Sequence, residues 1–302
     1  MNKKAQIYLS LDSSDINESI ILLKKLNNKI DGVKIGKEFF SSNGPDGVKE
    51  ICKLDIPVFL DLKFHDIPNT VYRAVKSISK LKPRILNVHT LGGPKMLEAA
   101  VKSVNDNFIE NKPLIIGVTL LTSLDQKNIN LMGFKGNIDE IVLNLALIAK
   151  NSGLDGVVCS PKEIKTIREY CGKDFIIITP GIRLNNSIKD DQIRTLSPFE
   201  AQKQGANILV IGRPITMSKD PLKITKEIIE SLGWFNLMYK KIKICGLTKK
   251  REFDLAVSLN IDFVGIVFHK PSIRFISPNK VSTIIDNLNS ELKLVAVVVD
   301  PS

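Results

Sequence analysis

Residues 58–70, VFLDLKFHDIPNT, pass directly from a short apolar run into a dense polar cluster. The apolar run is typical of a buried strand, and residues 70–80 have helical spacing. Asp61 and Lys63 are two residues apart, so a strand would point both side chains to the same face. In a parallel barrel the carboxyl ends of the strands build the active site. We therefore interpret this stretch as one βα unit that carries functional residues at the end of its strand.

The same alternation of an apolar run and an amphipathic segment recurs along the chain. It implies a parallel sheet with right-handed crossovers. Eight such units within about 230 residues favour a closed (β/α)8 TIM barrel, of class α/β, over an open sheet. The predicted strands begin at Ile7, Gly32, Val58, Ile85, Leu114, Gly156, Ile176 and Ile208. The predicted helices include residues 16–29, 70–80, 95–104, 138–151, 162–170 and 221–232.

Bulk composition excludes several classes of protein. A chain of 302 residues suits one barrel plus an extra piece. No apolar run approaches the roughly 18 residues that span a bilayer, and the first residues do not resemble a signal peptide, so we expect a cytoplasmic protein with no membrane partner. The net charge of +11 comes from scattered lysines without a recognition motif. We expect no nucleic-acid partner, although a basic field would attract an anionic substrate.

The cysteines and histidines offer little for a metal site. The four cysteines form no C-x-x-C pair, and the chain has three histidines, so we predict no zinc or iron–sulfur centre. We expect three of the cysteines to be buried reduced thiols. His65 and His89 could each be an ordinary polar residue of the barrel rim, and we favour that interpretation for His65.

Further charged residues end other predicted strands. Asp12 ends the first strand and Lys34 the second, so two lysines and two or three carboxylates should converge on one rim of the barrel. Charges in a barrel mouth are costly unless they are used or neutralised. The cluster therefore indicates an active site, although a structural ion network on the rim would give the same pattern.

The strands near the end of the barrel sequence are followed by two glycine turns, at residues 179–183 and 211–214. Barrels often bind phosphate with the loops after strands seven and eight, using close backbone approach and a short helix N-terminus. Arg213 would supply a planar fork for phosphate oxygens. The loop 181–192 has the length of a lid. Residues 121–123 end the fifth strand and precede a second long polar loop, 125–137.

Over about residues 7–232 these stretches resemble the orotidine 5'-monophosphate decarboxylase family. The most specific is the run Asp-x-Lys-x-x-Asp-Ile-Pro-Asn-Thr at 61–70. It is accompanied by matching stretches at 11–12, 33–36, 87–89, 121–123, 179–183 and 211–213. The resemblance implies conversion of orotidine 5'-monophosphate to uridine 5'-monophosphate, the last step of de novo pyrimidine synthesis. It implies a homodimer that uses no cofactor and no metal.

The resemblance also implies roles for individual residues. Lys34, Asp61, Lys63 and Asp66 would form a charged tetrad, with Lys63 protonating C6 of the pyrimidine. Asp66, Ile67 and Thr70 are expected to reach into the neighbouring subunit's site. Asp12 and Lys34 would hold the ribose, Ser123 would face the ring, and Gln192 would bridge base and phosphate. Besides Lys34, Ile67 and Thr70, the expected substrate-binding residues are Asp12, Thr122, Ser123, Pro180, Arg183, Gln192, Gly212 and Arg213.

The chemistry fits these residue types. Loss of CO2 from C6 leaves a carbanion with no adjacent electron sink, so the site must stabilise it electrostatically with preplaced cations. Lys63 is the best placed cation and the expected proton donor. Asp61 would lie near the departing carboxylate, where repulsion disfavours the ground state.

Two rival functions remain open on the sequence. Related sugar-phosphate decarboxylases use magnesium and carry an acidic residue at the second-strand position, which here is Lys34 and favours the metal-free reaction. A non-catalytic nucleotide-phosphate binder could use the same barrel. Pure binding, however, does not require burial of a set such as Lys34, Asp61, Lys63 and Asp66.

The βα pattern restarts after residue 235, which predicts two domains, 1–235 and 236–302. Residues 242–244, 263–268 and 294–299 are predicted strands, and 250–259 and 281–288 are predicted helices. These two and a half βα units would form a partial second barrel. Over about residues 241–302, on the stretches 243–248, 262–268 and 272–277, the segment resembles the N-terminal part of phosphoribosylanthranilate isomerase. The resemblance implies that Cys245 holds the position of a general base and Arg274 that of an anthranilate-binding arginine. The acidic partner and phosphate loops of that family would lie later in a barrel, so we expect this segment to be inactive as it stands. Either the natural chain is longer or the segment is a truncated fusion remnant.

Overall fold

The computed structural model describes residues 4–184, 196–233, 242–259, 261–285 and 292–299. The chain divides into two compact units, Met1–Gly233 and Trp234–Ser302. The boundary predicted after residue 235 lies outside the described residues.

The first unit is a closed barrel of eight parallel strands in chain order, in which the first strand pairs with both the second and the eighth. The strands are β1 Gln6–Leu11, β2 Gly32–Ile35, β3 Val58–Phe64, β4 Ile85–His89, β5 Leu114–Val118, β6 Gly156–Val158, β7 Ile176–Thr179 and β8 Ile208–Ile211. The predicted TIM barrel is confirmed. Seven predicted strand starts agree with the structure, and β1 begins one residue early, at Gln6.

Helices follow the strands around the barrel. Those described in this unit are α1 Ile16–Leu26, α2 Lys37–Cys52, α3 Pro68–Ile78, α4 Pro94–Asn107, α5 Gln126–Leu131, α6 Ile138–Asn151, α7 Ile164–Cys171, α8 Pro198–Gln204, α9 Arg213–Thr216 and α10 Pro221–Ser231. Helix α6 has the predicted bounds because Asn137 caps it: its side chain accepts from the Glu140 amide at 2.9 Å, and Glu140 accepts from the Asn137 amide at 3.2 Å.

The long polar loop predicted at 125–137 was wrong in part, because it contains the short helix α5. Asp125 caps this helix by accepting from the Asn128 amide at 2.8 Å. Its one fully buried apolar residue is Ile129. A helix of six residues with a single buried position has no detectable apolar period, so its sequence resembles that of a loop.

Large side chains fill the barrel interior below the mouth. A buried cluster of Tyr8, Phe59, Ile85, Ile116, Ile178, Ile208 and Val210 forms this core. A TIM barrel interior is a packed core rather than a pore. Phe59, Ile178 and Val210 are also exposed to the cavity above them, so they form its apolar floor.

Arg168 ties together the loops that lead into β7 and β8. Its Nη1 donates to the carbonyls of Gly172 at 2.6 Å and Phe175 at 2.7 Å, and its Nη2 donates to the Gly205 carbonyl at 2.7 Å. Nη2 also donates to Asn207 Oδ1 at 2.5 Å. These bonds lie at the amino ends of the strands, opposite the cavity, where a residue contributes to stability rather than to chemistry.

The second unit is a three-stranded parallel sheet with the order β11-β10-β9. Its strands are β9 Lys243–Cys245, β10 Phe263–Val267 and β11 Lys293–Val297, and its described helices are α11 Lys250–Ser258 and α12 Pro278–Ile285. Phe253, Val264 and Ile266 are among the buried residues of its own small core. The predicted elements of this segment are present, with α12 beginning three residues earlier than predicted.

The cysteines are free thiols. Cys159 and Cys171 are buried and Cys52 is half-buried, so the prediction of three buried thiols holds fully for two of them. Burial raises the pKa of the Cys52 and Cys171 thiols. Among the residues described, no helix combines the length and the apolar composition that crossing a membrane requires.

Candidate active site

A cavity of about 330 Å³ opens at the carboxyl ends of the barrel strands. Strands on both sides of the barrel contribute to it, which is possible because the closed sheet brings all eight strand ends to one rim. The predicted site residues that line it are Asp12, Lys34, Asp61, Lys63, Thr122, Ser123, Pro180, Arg183, Gly212 and Arg213.

Four of these residues form a chain of alternating charge. Lys63 Nζ lies 2.6 Å from Asp61 Oδ1, and Lys34 Nζ lies 3.3 Å from Asp61 Oδ2. Lys34 Nζ also lies 3.4 Å from Asp12 Oδ1. The predicted convergence of two lysines and two carboxylates on one rim is therefore present, and Asp61 is its centre.

Asp61 is held ionised by its neighbours. Burial by itself would raise the pKa of this carboxyl, but the charges of Lys34 and Lys63 and the hydrogen bonds from Lys63 and Asn87 outweigh it and lower the pKa. The carboxylate thus remains negative although Asp61 is buried. It compensates two ammonium groups that would otherwise repel each other in a confined space.

The sequence argument assumed that regular strand alternation brings Asp61 and Lys63 together. The structure brings them together through a β-bulge instead. Leu60 pairs with Leu86 and Phe64 with Val88, so three residues of β3 lie opposite the single residue Asn87 of β4. Within this bulge Lys63 has a φ of 54°. This left-handed conformation is unfavourable for a residue with a side chain, and such strain concentrates at functional sites.

Asn87 is the site residue whose role sequence reasoning missed. Its side chain is fully buried and contacts both charged residues of the bulge. Asn87 Nδ2 donates to Asp61 Oδ1 at 2.5 Å, and Asn87 Oδ1 accepts from the Lys63 amide at 2.7 Å. The available signal was the position itself, because a polar residue within an otherwise apolar buried strand requires partners.

Two glycines leave room for this charged chain. A Cβ on Gly36 would lie 2.9 Å from Asp12 Oδ1 and 3.0 Å from Lys34 Nζ. A Cβ on Gly212 would lie 3.1 Å from the Cβ of Ser10, whose hydroxyl donates to Asp12 Oδ2 at 2.8 Å. A larger residue at Gly36 would displace the Asp12–Lys34 pair, and one at Gly212 would press on Ser10, which holds Asp12.

The cavity lining also includes residues predicted to bind phosphate and base. Arg213 is exposed at the cavity and begins α9, which is a single turn. Arg183 is buried, and its Nη1 donates to the Ile182 carbonyl at 2.9 Å. Thr122 and Ser123 follow β5 at the side of the cavity. The cavity lining thus combines the guanidinium of Arg213 with the charged residues Lys34, Asp61 and Lys63.

Three predicted site residues lie outside this cavity. Asp66, Ile67 and Thr70 are exposed between β3 and the first turns of α3, and Ile67 is 67% exposed. Asp66 Oδ1 accepts from the Ile67 amide at 2.6 Å, which fixes the local turn. Gln192 lies outside the described residues.

His65 and His89 stack on each other beside the bulge, with ring centroids 5.3 Å apart. His65 is exposed, as expected for a rim residue, whereas His89 is half-buried. Burial, together with the charges of His65, Lys63 and Lys37, lowers the pKa of His89 to about 4. His89 is therefore neutral near pH 7.

In the second unit, Cys245 ends β9 and is exposed. The side chain of Arg274 packs over the backbone of Gly246, where a Cβ would lie 2.4 Å from Arg274 Cδ. Gly246 has a φ of 83°, so glycine is favoured there on two grounds. The two candidate residues of this segment therefore lie near the same strand end.

Comparison with known proteins places this chain in a family. The profile of the orotidine 5'-phosphate decarboxylase / HUMPS family matches residues 5–228. The chain belongs to this family. The match covers the barrel and ends before the second unit begins.

Individual relatives agree with the family match. An orotidine 5'-phosphate decarboxylase of Trichlorobacter lovleyi is 44% identical over 230 residues, which are 76% of this chain and 95% of that protein. One of a Wolbachia from Culex pipiens is 46% identical over 226 residues, 75% of this chain and 98% of that protein. The crystal structure of orotidine 5'-phosphate decarboxylase from Lactobacillus acidophilus matches with a TM-score of 0.66 and 35% sequence identity. The match covers 76% of this chain and 99% of that chain. By these relatives the chain is a decarboxylase.

Proposed function

We propose that the chain decarboxylates orotidine 5'-monophosphate to uridine 5'-monophosphate, the last step of de novo pyrimidine synthesis, without a metal or a cofactor. The observation that carries the proposal is the Lys34–Asp61–Lys63 chain, which lies in the same cavity as Arg213. The substrate requires both features, a cation at the reacting carbon and a cation at the distant phosphate. The names of the relatives support the same substrate.

In the proposed reaction the C6–carboxylate bond breaks, CO2 leaves, and the electron pair remains on C6. Lys63 stabilises this negative charge as it develops and then donates its proton to C6. The neutral amine regains a proton from solvent. Because Lys63 Nζ is held 2.6 Å from Asp61, the ammonium is in place before the charge develops and little reorganisation is needed. Asp61 would face the departing carboxylate.

The remaining roles follow the position of each group around the cavity. Asp12 and Lys34 would hold the ribose hydroxyls, and Thr122 and Ser123 would face the pyrimidine. The guanidinium of Arg213 and the amide of Gly212 would bind the phosphate, with Pro180 and Arg183 completing that wall. Gln192 would bridge base and phosphate from the loop after β7. Binding energy from the phosphate, which lies far from C6, would then help to order the reacting groups.

The active enzyme is proposed to be a homodimer. Asp66, Ile67 and Thr70 would complete the site of the neighbouring subunit, with Asp66 as the fourth member of the charged tetrad. The exposure of all three residues leaves them available for contact with a second subunit.

Two alternatives are distinguishable from this proposal. Lys34 places a cation near Asp61, which disfavours a divalent metal at the same position. A non-catalytic binder of nucleotide phosphates would use Arg213 and the loops around it. It would gain nothing from a buried Asp61 between two lysines, which costs desolvation energy.

For residues 236–302 we propose a second domain, in the cytoplasm with the first, that corresponds to the N-terminal part of a phosphoribosylanthranilate isomerase-like barrel. Cys245 and Arg274 are its candidate functional residues. It is proposed to be inactive as it stands, because an open sheet of three strands provides no opposing wall for a substrate. The decarboxylase is accordingly assigned to residues 1–235.

The test is the loss of orotidine 5'-monophosphate absorbance with the full chain in excess EDTA. We expect turnover at the same rate with and without the chelator. Turnover that EDTA abolishes and magnesium restores would contradict the metal-free reaction. A folded chain that binds uridine 5'-monophosphate by calorimetry but leaves the substrate unchanged would instead be a binder.

A further inference from the structure

A single buried amide connects the two charged residues of the β3 bulge. Asn87 on β4 is fully buried, and it is the one β4 residue opposite Asp61, Leu62 and Lys63. Both polar ends of its side chain are used, since Oδ1 accepts from the Lys63 amide at 2.7 Å and Nδ2 donates to Asp61 at 2.5 Å.

The chemistry of the partners leaves one orientation for this side chain. A carboxylate only accepts hydrogen bonds and a backbone amide only donates one, so the residue between them must offer one donor and one acceptor. Asparagine does so without charge. An aliphatic residue would leave the Lys63 amide and one carboxylate lone pair buried without partners, and each such loss is costly.

The same contacts explain how the strained backbone at Lys63 is maintained. A residue with a side chain at a φ of 54° needs support from its surroundings. The amide of Lys63 itself receives that support from Asn87 Oδ1. Because Lys63 Nζ and Asn87 Nδ2 donate to the same oxygen of Asp61, Asn87 fixes the carboxylate that in turn fixes the ammonium.

We propose that Asn87 is a positioning residue, whose amide holds the left-handed turn at Lys63 and the Asp61 carboxylate so that the Lys63 ammonium points into the cavity. The inference rests on the proposed function, in which that ammonium acts at C6. Asn87 is absent from the cavity lining, so it acts through its two neighbours.

The first test is Asn87→Ala in the full chain. We expect kcat to fall by about 10- to 100-fold, the size of effect that a misplacement near 1 Å produces. KM should change by less than about 3-fold, because Arg213 and the phosphate wall are unaffected. The control is Thr225→Val, which removes a different side-chain hydrogen bond, from the buried Thr225 hydroxyl to the Pro221 carbonyl at 2.7 Å, and should lower only the melting temperature.

The second variant, Asn87→Asp, separates positioning from mere loss of packing. At neutral pH the introduced carboxylate faces Asp61, and the two like charges repel each other. When the pair takes up a proton, the new carboxyl can again accept from the Lys63 amide and donate to Asp61, as the amide did. The ratio of variant to wild-type kcat should therefore rise as pH falls, whereas the ratio for Asn87→Ala should stay level.

The outcomes separate this inference from the function on which it rests. A folded Asn87→Ala variant with wild-type kcat, or an Asn87→Asp ratio that does not change with pH, overturns the role of Asn87 while the decarboxylase stands. If Asn87→Ala fails to fold, the pH series of Asn87→Asp decides. A wild type that leaves the substrate unchanged overturns the proposed function, and the inference falls with it.

Discussion

The two units of this chain are built from the same βα pattern and differ in closure. In the barrel, β1 pairs with β8, and strands such as β2 are buried along their whole length. In the second unit β10 is the central strand of three, and the flanking strands β9 and β11 are largely exposed. Both units have polar residues at strand ends, but only the closed sheet brings residues from opposite strands to face each other across a cavity.

A motif at a strand end becomes a site only when other strand ends complete a cavity around it. Lys34, Asp61 and Lys63 line the same cavity as Arg213, although they belong to different strand ends. Cys245 and Arg274 come from one sheet edge and are both exposed. Exposed groups of this kind are solvated, so their charges interact weakly.

The largest of the expected effects on substrate binding is at the phosphate wall of the barrel. Arg213→Ala removes the charge-assisted hydrogen bonds to phosphate, and we expect KM to rise about 10- to 100-fold, in line with the energy of such bonds. Steady-state kinetics measures the change. Arg251→Ala, an exposed arginine of the second unit, is the matched control and should leave KM unchanged. An equal rise in KM in the two variants would contradict the assignment of phosphate binding to the barrel.

The next prediction concerns the amino end of the barrel, where a substitution should lower stability and leave catalysis unchanged. Arg168→Lys cannot maintain the bonds from one guanidinium to Gly172, Phe175, Gly205 and Asn207, so we expect a loss of about 2–4 kcal/mol in barrel stability. Urea unfolding measures it. At a temperature where the variant is folded, kcat should equal that of the wild type. A large fall in kcat in the folded variant would show that the amino end of the barrel is coupled to the site.

A pH effect follows from His89, whose pKa is lowered to about 4 mainly by burial. The unfolded chain takes up this proton near pH 6.5 and the folded chain does not, so the free energy of unfolding should fall as pH drops from 6.5 towards 4. Histidine NMR titration should place the His89 transition near pH 4. In His65→Asn the transition should move upward, because one source of positive charge is removed. A transition of His89 near pH 6.5 in the wild type would contradict its burial beside the bulge.

The smallest effect is expected in the second unit. Cys245→Ala in the full chain should leave kcat and KM for orotidine 5'-monophosphate unchanged, because the cavity is lined by barrel residues. A several-fold loss of activity would show that the second unit contributes to the reaction. It would contradict the assignment of the site to the barrel alone.

The sequence predicted the barrel and the charged residues of the cavity from short-range patterns, whereas the roles of the other lining residues came from the family resemblance. Apolar runs locate strands, and polar residues at their ends must meet at one rim once the sheet closes. The bulge in β3 was not predictable in this way, because strand alternation assumes regular pairing and would not give Lys63 a φ of 54°. Asn87 was missed for the same reason, since its partners become neighbours only through that bulge.

A second part of the proposed site could not be predicted from sequence pattern. Asp66, Ile67 and Thr70 were predicted from resemblance to act in a neighbouring subunit, and a single chain shows only that they are free of the cavity and exposed. The local sequence pattern predicts at which end of the barrel a residue lies. Contacts between subunits depend on the shapes of two whole surfaces, and a periodic sequence pattern does not encode these.

The central claim, that the Lys63 ammonium performs the chemistry, is tested most directly by comparing two lysines that are each paired with an aspartate. Lys63 pairs with Asp61 in the cavity, and Lys102 pairs with Asp106 on the outer surface. We expect kcat for orotidine 5'-monophosphate to fall by about 10⁴-fold in Lys63→Ala, which loses both charge stabilisation and the proton donor, and to stay unchanged in Lys102→Ala. A folded Lys63→Ala variant with kcat within a few-fold of the Lys102→Ala variant would contradict the account.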